Sequence, residues 1–222
     1  MNKSSNINRV AAVIPFFNES KTIKKVVDQT LKHVETVIAV DDGSTDNSGG
    51  KVREGEGVIV LKYESNHGKG FALRKGLKKG VEEGFTVLVT LDADLQHNPE
   101  EIPLLVSQLK NYHIVIGNRL NDVKRMPFQR IMSNKVTSKL LTLKTRQKIV
   151  DSQCGFRAYR AEVIKNVHTV KNGYEAESEI LIKASRMGYK IGFVNISTIY
   201  GDERSKMSSF KTTFAFIKLL FS

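Results

Sequence analysis

The stretch Phe85-Thr86-Val87-Leu88-Val89-Thr90-Leu91-Asp92-Ala93-Asp94-Leu95-Gln96-His97 runs an apolar, β-branched segment straight into two carboxylates. A short apolar run of this kind reads as a strand covered on both faces, as in parallel sheets. The same pattern recurs toward the N-terminus. Val34–Val40 leads into Asp41-Asp42-Gly43-Ser44-Thr45-Asp46, and Val10–Ile14, stopped by Pro15, leads into Phe16-Phe17-Asn18-Glu19. Val58–Leu61 and Ile114–Gly117 supply two more strands. Helical spacing fills the gaps. Ile23, Val26, Val27, Thr30 and Leu31 follow a cap at Asn18 or Ser20; Leu73, Leu77 and Val81 follow Gly70; Glu100–Lys110 follows Pro99. Strands alternating with helices predict an α/β fold with a mainly parallel central sheet flanked by helices on both faces. The acidic and Gly-rich segments all fall at carboxyl ends of strands, where open α/β sheets bind ligands.

A chain of 222 residues without a recognisable linker suits a single domain over 1–222. The net charge of +12 asks for an anionic partner, and one cysteine excludes both a disulfide framework and a multi-cysteine metal site. The opening MNKSSNINRV is polar, with no secretory apolar core, and no run approaches the roughly 18 apolar residues of a spanning helix. A soluble protein on the cytoplasmic side is expected. Charge is concentrated: Arg119–Lys148 carries nine basic residues against one acid, interleaved with Met, Ile, Val and Leu. This segment, about 119–148, is either a packed amphipathic helix with its lysines in water or a surface that meets an anionic bilayer. Glu175–Met187 reads as a helix and Ile191–Thr198 as a strand. At about 208–222 a final amphipathic helix places Phe210, Phe214, Ile217 and Phe221 on one stripe, with the same two readings open.

Asp92 and Asp94 stand two apart at a strand end, so period-two geometry points both carboxylates the same way. Two hard oxygen donors suit Mg²⁺ or Mn²⁺ with positions left for phosphate oxygens, and Gln96 follows closely. Asp41 and Asp42 can accept from a base or ribose edge, or close an Asx turn with Asp46 as a cap. Asn66-His67-Gly68-Lys69-Gly70 opens a helix, where its amides and Lys69 can approach phosphate. Glu175 and Glu179 share a helical face and Glu177 does not; an exposed charged face is expected, with Glu179 held in reserve for a functional role. Cys154 is read as a packing residue.

Val13-Ile14-Pro15-Phe16-Phe17-Asn18-Glu19, Val40–Asp46 and Leu91–His97 together resemble the inverting nucleotide-sugar glycosyltransferases of the GT-A fold. Within them the chain is similar to the dolichol- and polyprenol-phosphate enzymes of the dolichyl-phosphate mannose synthase type. Gly117-Asn118-Arg119, Arg130, Gln153-Cys154-Gly155-Phe156-Arg157-Ala158-Tyr159 and Ser205-Lys206 add to the likeness. The resemblance implies a GT-A, Rossmann-like nucleotide-diphosphosugar transferase fold and metal-dependent hexose transfer to a polyprenyl or dolichyl phosphate. It implies donor contacts from Pro15, Phe17, Glu19 and Asp42, with Asp41 and Lys69 joining them on the residue reading. It implies metal binding by Asp92, Asp94 and Gln96, and acceptor-phosphate contacts from Arg119 and Arg130, then from Arg204 or Lys206. Asp92–Gln96 leans toward GDP-mannose and Gln153–Phe156 toward UDP-glucose, so both donors stay open.

Two rivals have distinct signatures. A same-fold transferase acting on a saccharide hydroxyl needs a carboxylate base. A nucleic-acid-binding module needs aromatic side chains among its basic residues, and Arg119–Lys148 holds only Phe128; no nucleic-acid partner is expected.

Overall fold

A computed structural model describes residues 9–121, 123, 126–197 and 199. Seven strands form one sheet: β1 (Val10–Phe16), β2 (Thr36–Asp41), β3 (Val58–Lys62), β4 (Val87–Thr90), β5 (Ile114–Asn118), β6 (Arg157–Arg160) and β7 (Ile191–Asn195). Their spatial order is β3-β2-β1-β4-β6-β5-β7, and every pairing is parallel except those of β6, which runs antiparallel to both β4 and β5. The helices are α1 (Ile23–Thr30), α2 (Lys69–Glu82), α3 (Ile102–Gln108), α4 (Phe128–Thr145), α5 (Ala161–Asn166) and α6 (Glu175–Arg186). The sheet is buried: Ala11 to Ile14 and Val37 to Val40 have no exposed surface, as continuous apolar runs require. α2 packs closely enough that a Cβ on Gly76 would strike the side chains of Val13 and Val40.

The predicted mainly parallel α/β sheet is the one observed. Three details differ. β1 does not stop at Pro15 but continues to Phe16, with Pro15 opposite Val40. The carbonyl of Val13 accepts from Leu91 on the β4 side, and Phe16 accepts from Asp42 on the β2 side. Pro15 therefore faces the β4 side, beyond the Val13–Thr90 pair where that ladder ends, and its missing N–H forfeits no bond. The strand β6 had no expectation attached, because Arg157-Ala158-Tyr159-Arg160 shows a charged residue where a core residue sits. Arg157 has no exposed surface, and its guanidinium donates to the carbonyls of Cys154 (2.7 Å), Ser152 (2.9 Å) and Glu177 (3.1 Å). Nor is α6 an exposed charged helix. Residues 176–182 are all buried, Glu177 and Glu179 included.

Strand order reverses around β1: β2 and β3 lie to one side, β4 and all later strands to the other. The carboxyl ends of β1, β2 and β4 meet at this switch point, which opens a crevice at their mouth.

Candidate active site

The two carboxylates after β4 lie past the strand. β4 ends at Thr90, so Asp92 and Asp94 are aligned by a loop and not by the pleat. Leu95 takes a left-handed φ of +62°, and the Gln96 amide donates to Asp94 Oδ1 at 3.0 Å. Burial, and next the charge of Asp92, hold the Asp94 carboxyl above its ordinary range. Asp92 goes the other way. Burial opposes its charge, but Lys69 and His97 outweigh burial and hold it well below the usual carboxylate range. Lys69 Nζ lies 2.6 Å from Asp92 Oδ1, and His97 Nε2 lies 3.4 Å from Oδ2. His97 is buried, with its ring 5.3 Å from that of Phe156.

A Cβ on Gly155 would stand 2.7 Å from Asp92 Oδ2, so a larger residue there would displace this carboxylate. Among the described residues no group of three His, Cys, Asp or Glu side chains suits a metal ion. The two carboxylates nonetheless fit Mg²⁺ or Mn²⁺. Such ions accept one or two protein carboxylates and complete their shell with water and substrate phosphate.

Lys69 is the first residue of α2, which fixes its backbone at the crevice. Its ammonium also lies 3.5 Å from Glu177 Oε2 and 5.7 Å from the Tyr174 ring centre. Burial opposes its charge, and Asp92 and Glu177 more than restore it, raising Lys69 above its ordinary value.

The loops after β1 and β2 are knit to each other. Asp42, 2% exposed, accepts from the amides of Gly68 (2.8 Å) and His67 (3.1 and 3.2 Å), anchoring the turn before α2. Asp41 Oδ1 closes an Asx turn with the Ser44 amide at 2.9 Å, while its buried Oδ2 has no hydrogen-bond partner. Asn18 does not cap α1. It has a φ of +55°, and its Oδ1 accepts from the Thr45 amide at 2.8 Å. Asp46 caps no helix by itself but joins the Ser20 amide to Ser48. Phe17 remains 36% exposed at the mouth, and Glu19 Oε2 accepts from Thr22 at 3.2 Å.

Arg119 leaves the end of β5 and is gripped by Asp151. Its Nε and Nη2 donate to the two carboxylate oxygens at 2.9 and 3.0 Å, and its amide to Oδ2 at 3.0 Å. Asp151 has no exposed surface and also accepts from Asn134 at 2.6 Å. Burial opposes the Arg119 charge; Cys154, Asp151 and, more remotely, Asp92 raise its pKa above the ordinary value. Arg130 sits half-buried on the first turn of α4. Arg204, Lys206 and the helix expected at 208–222 lie outside the described residues. The chain just before them is tied to the site, since the Ile199 amide donates to the Gln96 carbonyl at 3.1 Å. Cys154 is buried and its thiol is pushed up to about 12, chiefly by that burial, consistent with a packing role.

Sequence reasoning named Lys69 but missed the residues that hold it and its neighbours: Glu177, His97, Gly155 and Asp151. Glu179, the reserve candidate, is engaged elsewhere. Its Oε2 accepts from the Val170 and Lys171 amides at 3.0 Å, and its Oε1 pairs with Lys183 at 2.7 Å.

A parallel sheet with one reversed strand and an acidic loop at the switch point is the architecture of a GT-A glycosyltransferase. The chain belongs to glycosyl transferase family 2, whose family model matches residues 11–167. It is 35% identical over 212 residues to the UDP-N-acetylglucosamine–dolichyl-phosphate N-acetylglucosaminyltransferase of Methanococcus voltae, covering 85% of this chain and 84% of that one. It is 30% identical over 213 residues to the undecaprenyl-phosphate mannosyltransferase of Micrococcus luteus, covering 90% and 88%. In fold it matches glucosyl-3-phosphoglycerate synthase from Mycobacterium tuberculosis in complex with UDP, at a TM-score of 0.77 and 22% identity, over 97% of this chain and 79% of that one.

Proposed function

We propose that this glycosyltransferase moves a hexose from a nucleotide-diphosphate sugar to a polyprenyl or dolichyl phosphate at a membrane surface. The observation that carries the reading is the placement of Arg119 at the end of β5, clamped by buried Asp151 four residues before the Gly155 that lies against Asp92. The relatives named for dolichyl- and undecaprenyl-phosphate acceptors support the same acceptor class.

On this reading Phe17, Glu19 and the unpartnered oxygen of Asp41 receive the nucleoside, with Pro15 and Asp42 shaping the loops around it. Asp92 and Asp94, beside Gln96, would hold a Mg²⁺ or Mn²⁺ ion, which when bound would supply charge neutralisation for the departing diphosphate. A phosphate oxygen of the acceptor attacks the anomeric carbon as the bond from that carbon to the diphosphate breaks, and the nucleoside diphosphate leaves with the electron pair. No proton moves. A lipid monophosphate has a second pKa of roughly 6 and attacks as the dianion, so no carboxylate base is needed. Arg119 and Arg130, with Arg204 or Lys206, orient it and offset its charge. Mannose from GDP-mannose and glucose from UDP-glucose are the donors to try first, and the relative from Methanococcus voltae adds UDP-N-acetylglucosamine.

α4 supplies a membrane-facing surface. Phe128, Met132, Val136 and Leu143 are exposed on one stripe of the helix, and exposed Lys135 and Lys139 lie among them. Apolar side chains that dip into the interface, with lysines worth about 1 kcal/mol each near anionic lipid, make a peripheral contact. No helix among the described residues is long and apolar enough to cross a membrane.

The test is transfer of radiolabelled sugar from each of the three donors to polyprenyl phosphate in anionic vesicles, with Mn²⁺ or with chelator. Metal-dependent formation of a lipid-phosphate sugar from one donor is the expected result. Transfer to a saccharide hydroxyl with none to lipid phosphate would overturn the reading.

A further inference from the structure

The acidic loop already has a cation. Lys69 Nζ is 2.6 Å from Asp92 Oδ1, and its side chain is only 20% exposed. Its backbone has no freedom to withdraw. The Gly70 amide donates to the Asn172 carbonyl at 2.7 Å, and a Cβ on Gly70 would stand 2.6 Å from the Gly173 carbonyl oxygen. Movement is left to the side chain, which has a second station at Glu177 Oε2, 3.5 Å away. Of the other buried cations, Arg157 is fixed by three carbonyls, and Arg119 is neutralised by Asp151.

Formal charges then set the order of events. Lys69 and Arg157 face Asp92, Asp94 and Glu177, which leaves one net negative charge. A dication arriving alone turns this into a net positive charge in a largely buried place, which is costly. Arriving with the diphosphate of a nucleotide sugar, which carries two negative charges, it leaves the balance unchanged, and with a free nucleoside diphosphate, carrying about three, it leaves the site no less negative than before.

We infer that Lys69 is the resident counter-cation of Asp92 and yields that carboxylate to the divalent ion only when a nucleoside diphosphate is present to receive the ammonium. The free protein therefore binds the ion weakly, and ion and nucleotide bind synergistically. This rests on the metal reading of Asp92 and Asp94 given above.

The test is Mn²⁺ binding followed by electron paramagnetic resonance of the free ion, with UDP and GDP as probes and no acceptor or turnover. The wild-type protein is expected to bind Mn²⁺ about tenfold or more tighter with the matching nucleotide, and Lys69→Met to bind it about tenfold tighter than wild type without nucleotide. The gain from nucleotide shrinks in Lys69→Met. Glu177→Gln, which leaves Lys69 only Asp92, shifts nucleotide-free affinity the other way and serves if Lys69→Met fails to fold. Unchanged or weaker Mn²⁺ binding in folded Lys69→Met, or tighter binding in Glu177→Gln, would overturn the inference while leaving the metal site intact. Wild-type protein that binds no Mn²⁺ with either nucleotide would overturn the metal site and this inference together.

Discussion

In the loops after β1 and β2, polar side chains are bonded to the chain's own backbone. Asp42 holds two amides before α2, Asp46 joins Ser20 to Ser48, and Asn18 holds Thr45. On one face of α4 the side chains point out, with Phe128 73% and Leu143 70% exposed and lysines among them. One region is already organised by its own hydrogen bonds, an arrangement that lowers the ordering cost of binding. The other leaves a stripe of apolar groups exposed among the described residues. Between them stand Asp92 and Arg119, each anchored by a buried partner. The contrast assigns different readouts to the two regions: turnover and folding at the anchored residues, partitioning at α4.

The largest expected effect is at the acidic loop. Asp92→Asn should lower transfer by at least about a hundredfold at saturating donor, measured as initial rate with Mn²⁺. A loss under about threefold would remove Asp92 from the chemistry.

Next comes the Arg119 clamp. Asp151→Asn strips the charge from a fully buried partner, and denaturant unfolding should register a loss of about 3 kcal/mol. In the protein that remains folded, KM for polyprenyl phosphate should rise more than KM for donor. Arg119→Ala should lower lipid transfer about tenfold or more, less than Asp92→Asn does, and spare donor hydrolysis. Equal loss of both would dissolve the division between regions.

On α4, Phe128→Ser combined with Leu143→Ser should cut flotation with anionic vesicles about tenfold, through lost apolar contact, and leave the unfolding midpoint nearly unchanged. A drop in stability with flotation intact would make α4 an ordinary packed helix.

The smallest effect is acidic. Burial pushes the Asp46 carboxyl up, and the hydroxyl of Ser48 and the amides of Ser20 and Ser48 more than offset it, holding it at about 2. A lowered pKa stabilises the fold above the unfolded value of roughly 3.9, and the benefit is lost as pH falls through about 2. The stability gap between wild type and Asp46→Asn should be constant near neutrality and close between about pH 4 and 2. A gap that widens on acidification would contradict this.

Much of this was legible because parallel strands are short apolar runs and their ends are marked by polar turns. Asp41, Asp42, Asp92 and Asp94 were read at strand ends and Lys69 at the Gly-rich turn that opens α2, and the structure has them at those places. What escaped depended on contacts distant in sequence. Asp151 reaches Arg119 across 32 residues, and no local spacing announces a buried ion pair. Arg157 disguises β6, since a charged residue in a four-residue strand reads as surface until three carbonyls are seen around it. Glu177 was misread for the same reason: a helix packed on several sides loses the periodicity that distinguishes its faces. The carboxylates of Asp92 and Asp94 were found for a geometric reason that was not the operative one, since a loop aligns them.

The reversed strand has a consequence for distance. Because β6 runs against its neighbours, the residues leading into it arrive at the rim where β4 and β5 end. Thr90 Oγ1 donates to the Gly155 carbonyl at 2.9 Å, and the Gly117 amide to the Phe156 carbonyl at 2.9 Å. Within five residues this tether touches Asp92 through Gly155 and Arg119 through Asp151. On the proposed reading, the gap between sugar and incoming phosphate is gauged by one short piece of main chain stitched to both strands, so that lengthening it by a single residue should put the two reactants out of step while each still finds its own seat.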